Sequence, residues 1–509
     1  MRITNRIITN NSLSNINRVK TSQDKLNTML STGKKITKPS DDPVIAIRAL
    51  RLRSEASKVD QYYEKNSKDA EAWLKSTDTA LDTVSGVLTD MLEQVEKGAS
   101  DTYDTKDKLV VVEQLNALAE EIYSTGDSDY AGRYLFTGYR TDTPLTFQKD
   151  TTLQYEITEQ LDKSNISVMN HVFTDDLLDY TTENYTGLNA DEQSISKFEV
   201  YRIQLAYNDV DSTVAPTITY TDTSGALQTI TADITPYNSA TDPYTSVAAD
   251  KVNYIPETGE LILGADVYKT LMDTNDSAAT ETVNEGEIKI NYQKTNWSGK
   301  DLRPEHYFAC TSTDADGKSI EFNQDYLTGE GRQVIEYTTG TGQAIQINTL
   351  ASETFNHDIK RLAADITSAT ELLSSIDSIV TSLEKIVENG GLSGTALTTA
   401  EDKLAAAKKA QSEQKEVVKG LFEGAITKVQ GFLDRNSLAS TNCGSRASRL
   451  SLIQNRLSNQ QTTMDTLVSE NEDCDETEVA IELKGAELCY EAALLATSKI
   501  TQTSLLNYI

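Results

Sequence analysis

Histidine, cysteine, cationic surplus and long apolar runs are all scarce in this chain of 509 residues, and each scarcity excludes something. Three His leave little material for an imidazole-built metal or acid–base centre. His171, His306 and His357 stand far apart in sequence and read as ordinary surface or half-buried side chains. The four Cys, at 310, 443, 474 and 489, show no CxxC spacing and no neighbouring His, which argues against zinc. No apolar run approaches the roughly 18 residues of a membrane span; Leu109-Val110-Val111-Val112 is about as long as they get. The start reaches Asn10, Asn11 and Ser12 where a cleavable signal peptide needs its apolar core. The expectation is a cytosolic protein, or one exported by a route that reads no such signal. The net charge of −31 argues against nucleic-acid binding and against coating anionic lipid. HExxH, GxxxxGK[ST] and GxSxG are absent, so no catalytic residue, cofactor or metal is expected.

Proline is also unevenly missing. None of the eight lies in residues 44–143 or in the last 205 residues, and both stretches carry helical periodicity. Ile359, Leu362, Ile366, Ala369, Leu373, Ile376, Val380, Leu383 and Val387 follow alternating steps of three and four, the seam of a long packed helix. Asn389-Gly390-Gly391 supplies its end. Further helical stretches are expected at about 398–436 and around Ile453, Leu457 and Leu467. An acidic run, 470–478, reads as a solvated break before a last helix with Ile481, Leu488 and Leu495 at sevens. At the other end Ile16, Val19, Gln23, Leu26 and Leu30 make a seam that Gly33 can cap. Asp42 then suits an N-cap and Pro43 the first helical position.

The middle is different. It holds 14 of the 23 Tyr and alternates in strand fashion, as in Gln154–Thr158 and Glu287–Tyr292, with turns at Ser224-Gly225, Thr258-Gly259 and Asp316-Gly317. Ser312–Gly317 faintly matches a calcium loop but lacks the first acid, and a tight turn is the better reading. Charge is uneven too: residues 1–60 hold 12 Lys/Arg against 5 Asp/Glu, so the remainder carries −38. That basic start reads as a solvated helix face or as a docking or export segment.

The expected fold is therefore multidomain α+β: an elongated α-helical bundle or coiled-coil stem built from both termini, with an inserted β-rich domain. By composition the terminal helices are 1–40 and 475–509, the stem 41–145 and 351–474, and the insert 146–350. The expected assembly interface is Ile16, Val19, Leu26, Leu30, Ile481, Leu488, Leu495, Leu505 and Leu506.

One segment is specific. Leu30–Pro43, with Gly33, Lys38, Pro39, Ser40, Asp41, Asp42 and Pro43, resembles the signature of the bacterial flagellin superfamily, in the form of its hook-associated branch. Tyr134-Leu135-Phe136-Thr137-Gly138 resembles the close of that branch's N-terminal helical region. Ser504-Leu505-Leu506-Asn507-Tyr508-Ile509 is similar to its tail, with Asn507 where Asp is usual. The resemblance covers roughly 1–145 and 450–509. It implies a structural flagellar protein, exported unfolded with an export chaperone, whose terminal helices build a tube as an adaptor at the hook–filament junction. It implies as partners the first hook-associated protein, flagellin and copies of the chain in a ring, with no nucleic acid and no membrane. Filament flagellin or a paralogue is the alternative; an enzyme domain on a flagellin-like stem is a third.

Overall fold

The computed structural model describes residues 5–237, 242–273, 288–324, 333–389 and 391–506. It opens with α1 (Asn5–Thr32), a short loop, and α2 (Pro43–Asp60). Asp42 starts α2: its Oδ1 accepts from the backbone N–H groups of Val44 and Ile45 at 2.9 and 3.1 Å. A π-helical stretch, Gln61–Ser67, leads into α3 (Lys68–Ala99), and α4 (Thr105–Gly126) follows. After the strand-rich middle come α7 (Asp358–Asn389), α8 (Thr395–Glu472) and α9 (Glu476–Leu506). Two stretches expected as separate helices, about 398–436 and around Ile453–Leu467, are one 78-residue helix, α8. Gly444 does not break it, because contacts on both sides hold the backbone helical. Asn436 Nδ2 donates to Leu81 O at 2.8 Å, Cys443 Sγ to Leu74 O at 3.4 Å, and Leu450 is buried.

The middle begins with a short hairpin, β1 (Asp129–Tyr130) and β2 (Arg133–Tyr134). The larger strands are β3 (Gln154–Leu161), β4 (Ile166–Phe173), β5 (Ser196–Gln204), β6 (Thr217–Thr221), β7 (Leu227–Thr231), β8 (Asp233–Ile234), β9 (Val252–Ile255) and β10 (Glu260–Leu263). After the short α5 (Ala265–Met272) come β11 (Ile288–Lys294), β12 (Ala309–Thr313) and β13 (Ser319–Phe322). A second hairpin, β14 (Glu336–Gly340) and β15 (Gln343–Gln346), precedes the one-turn α6 (Ala351–Thr354). One sheet runs β13-β12-β3-β11-β6-β7, the other β4-β5-β10-β9-β8. Alternation places the core: Ile288, Ile290, Tyr292 and Lys294 of β11 are buried while the residues between them are half-exposed. Ile157, Ile203, Ile218, Tyr254, Leu261 and Trp297 join that core. The calcium-like segment is a turn between β12 and β13, with Asp314 Oδ1 accepting from Asp316 N and Lys318 N.

Packing divides the chain into two compact units. The first comprises residues 1–70, 337–345 and 448–509; the second comprises 71–336 and 346–447. Composition and packing thus cut the chain differently: apart from the β14–β15 hairpin, the β-rich stretch shares the second unit with α4, α7 and most of α3 and α8. A core explains this grouping. Leu177, Tyr185, Ala190 and Ile195 pack with Ile376, Ile379 and Leu383 of α7 and with Ala400, Ala406 and Ala410 of α8. Phe422 of α8 is buried where Gly98 leaves room; a Cβ on Gly98 would lie 2.1 Å from the ring.

Candidate assembly surface

The first unit is built on α1 and α9, which pack along one another. On α1 the face that loses solvent is Ile16, Val19, Gln23, Leu26 and Leu30, all half-buried. On α9 it is Val479, Leu483, Ala486, Tyr490 and Ala493, again at steps of four and three, with Val479 buried. Ile481, Leu488 and Leu495 lie on the opposite side of α9, 70%, 66% and 65% exposed. The candidate set is therefore split. Ile16, Val19, Leu26 and Leu30 face the chain's own pairing, whereas Ile481, Leu488 and Leu495 face water. The side chains of Leu505 and Leu506 lie outside the described residues.

The loop after α1 ties this pair together. Gly33 has φ +67°, a left-handed conformation that costs other residues about 1 kcal/mol or more. Its N–H donates to Met29 O at 2.9 Å, ending α1, and its carbonyl accepts from Cys474 N at 2.9 Å. Lys35 N donates to Glu472 O at 2.6 Å. Lys34 pairs with Asp473, whose carboxyl the Lys34 ammonium and the Ser469 hydroxyl hold below the usual range. Asp41 accepts from the backbone N–H groups of Lys38 (2.9 Å) and Thr37 (3.2 Å), which lowers its pKa. Lys38, Pro39 and Ser40 are exposed on this turn, and Asp42 with Pro43 begins α2.

Sequence reasoning missed the charge beneath this loop. The acidic run 470–478 is not uniformly solvated, for Glu472 is only 3% exposed. Arg53 grips it in a two-point contact, Nε to Oε1 at 2.6 Å and Nη2 to Oε2. The partners are 419 residues apart, and no local signal links them.

The second unit holds a cavity of about 740 Å³ whose lining includes Arg202, Tyr207, Glu260, His357, Lys360 and Asp365. Its lining cations are each paired with a carboxylate. Arg202 is held by Glu260 and Asp365, and Lys360 Nζ lies 2.7 Å from Asp301 Oδ1. His357 sits among Tyr207, Tyr307 and Phe308, and burial, with the nearby Arg361 and Lys360, pushes its pKa well below the usual histidine value. His171 does meet a carboxylate: Nε2 lies 2.9 Å from Asp242 Oδ2. His306 Nε2 donates to Pro144 O at 3.1 Å, and burial lowers its pKa. Among the described residues no cluster of three His, Cys, Asp or Glu is placed to hold a metal ion. No described helix is long and apolar enough to cross a membrane.

Comparison with known proteins adds names to these elements. Residues 3–141 match the bacterial flagellin N-terminal helical region, and residues 426–509 match the bacterial flagellin C-terminal helical region. The chain is 26% identical over 176 residues to flagellar hook-associated protein 3 of Salmonella typhimurium, covering 34% of this chain and 55% of the relative. It is 27% identical over 164 residues to flagellar hook-associated protein 3 of Escherichia coli, covering 31% and 51%. The chain thus spans about half the length of the curated relatives it matches. A solved putative flagellar hook-associated protein from Vibrio parahaemolyticus aligns with 85% of this chain and 100% of its own, at 14% identity and a TM-score of 0.32.

Proposed function

We propose that this chain, a member of the bacterial flagellin superfamily, is a structural subunit of the flagellum that acts at the hook–filament junction. One observation carries the reading: α9 spends one face on α1 and leaves Ile481, Leu488 and Leu495 in water on the other. Apolar area gains about 25 cal/mol per Å² when it leaves water, so such a stripe favours a partner helix. The matched relatives are hook-associated proteins, which favours the junction over the filament. The partners on this reading are the first hook-associated protein, flagellin and further copies of the chain in a ring. On this reading the subunit is exported to the flagellum, an export chaperone holds it beforehand, and its work is structural rather than catalytic. Terminal helices with so little core of their own complete their burial on assembly.

The test is Leu488→Asp in the full-length chain. In the monomer the side chain is already wet, so the variant should melt within about 2 °C of the parent, as surface changes stay within about 0.5 kcal/mol. In the assembled state the carboxylate would be buried unpaired, at several kcal/mol for each subunit. Cells relying on this variant should carry bare hooks and release flagellin into the medium. Normal filaments, or a monomer destabilised by many degrees, would contradict the reading.

A further inference from the structure

The cavity of the second unit has no part in the subunit reading. Its lining comes from one face of the five-stranded sheet and from α4, α7 and α8. On the sheet, Met169 and His171 of β4, Arg202 and Gln204 of β5 and Glu260 of β10 alternate toward it. On α7, Ala364, Ser368 and Ser375 fall on one side of the helix, at steps of four and seven. Side chains this small do not reach across to the sheet, and about 740 Å³ stays open. That volume lies within the roughly 300–1,000 Å³ of small-molecule pockets.

The chemistry of the lining excludes three classes of ligand. Five carboxylates (Glu257, Glu260, Asp301, Asp365 and Glu371) stand against three permanent cations (Arg202, Lys360 and Arg361). Each of the three cations already meets a carboxylate, so an anion would find repulsion and no free partner. An organic cation fares no better. Glu260, Asp301 and Asp365 are taken, and Glu257 and Glu371 are exposed, where water and salt screen them. A wholly apolar ligand would cover these ions, Asn116 and Gln204 while returning no hydrogen bond. What remains is a neutral molecule whose groups both donate and accept. A hydroxyl donates to the carboxylate of an ion pair and accepts from its guanidinium without displacing either. Aromatic faces suit the C–H faces of such a molecule: Tyr237 is 49% exposed on the lining, and Tyr207 and Tyr244 lie deeper. We propose that this cavity binds a neutral saccharide. Arg202 with Glu260 and Asp365 forms the polar floor, and Tyr237 gives the stacking surface at the mouth. The floor is held in place, for Glu260 Oε2 accepts from the Tyr244 hydroxyl at 2.6 Å and from Thr258 Oγ1 at 2.9 Å. The site lies wholly in the second unit and does not depend on how the terminal helices assemble.

Saturation-transfer NMR and calorimetry on the full-length chain test it. The neutral probes are glucose, galactose, N-acetylglucosamine, maltose and lactose; glucuronic acid and glucosamine are the charged counterparts of glucose. At least one neutral probe should bind at millimolar concentration, at least tenfold more tightly than either charged sugar. Two variants then place the binding. Ser368→Trp fills the cavity from an exposed position of α7, and Tyr237→Ala removes the stacking surface at the mouth. Each should weaken binding at least tenfold. Tyr237→Ala should also keep the parent's melting temperature within about 2 °C, which keeps the test decisive if the bulkier Trp disturbs folding. Binding of no neutral probe, tighter binding of a charged sugar, or binding unchanged by Tyr237→Ala would overturn the proposal.

Discussion

The two compact units bury apolar surface very differently. The first holds little more than a quarter of the chain, yet 11 of the 21 large apolar side chains left exposed among the described residues belong to it. Of the 83 buried apolar residues among those described it has eight, and three of those are alanine: Ala46, Ala49 and Ala70. The second unit buries Trp73, Leu81, Leu115, Phe355, Phe422 and two facing sheets. The difference teaches where each unit gets its stability. The second closes its own core; the first leaves part of its apolar surface in water.

Substitutions in matched pairs should widen this contrast. The largest effect on the isolated chain is expected from Phe422→Ala, which empties a fully buried site and should cost about 3–5 kcal/mol in denaturant unfolding. Leu495→Asp, on the exposed α9 stripe, should change the same measurement by less than about 0.5 kcal/mol. A first unit as sensitive as the second would erase the distinction. Next comes Arg202→Ala, which leaves Glu260 and Asp365 without their shared partner. It should cost the second unit about 3–5 kcal/mol, measured the same way.

Acid should separate the units more gently. His171, His306 and His357 all belong to the second unit. Burial holds the His306 and His357 pKa values below the ordinary value of about 6.5. Below that pH the unfolded imidazole takes a proton that the folded one refuses. Stability therefore falls as pH drops through about 6.5, by at most about 1.4 kcal/mol per pH unit for each group. His357→Phe, placed in an aromatic surround, should flatten the fall of melting temperature between pH 7 and 5; an unchanged slope would exclude His357 as its source. A smaller, local loss is expected from Asp42→Ala. Losing that cap should cost about 1 kcal/mol, read as faster amide exchange at Val44 and Ile45.

Much of this was legible because the signals are local. The α7 seam from Ile359 to Leu383, the Asp42–Pro43 helix start, the left-handed Gly33 and the β11 alternation all follow from spacing within one element. What was not legible involves distant partners. Arg53 meets Glu472 across 419 residues. Leu177, Tyr185, Ala190 and Ile195 reach α7 and α8 from a stretch without regular period. On α9 the sevens of Ile481, Leu488 and Leu495 are plainer in sequence than the mixed seam of Val479, Leu483, Ala486, Tyr490 and Ala493 that faces inward. Hydrophobic periodicity marks an apolar face; it does not say whether the chain itself or another copy covers it.

Hydrogen–deuterium exchange on the full-length chain, free and then assembled, tests the central contrast most directly. The account predicts that amides of α9 and of the first half of α1 exchange within seconds to minutes in the free chain, while those of α3 and the middle of α8 resist for hours. On assembly the α9 amides should become as slow as those of the second unit. Equal, strong protection of α9 and α3 in the free chain would contradict it, because α9 would then need no partner to complete its fold.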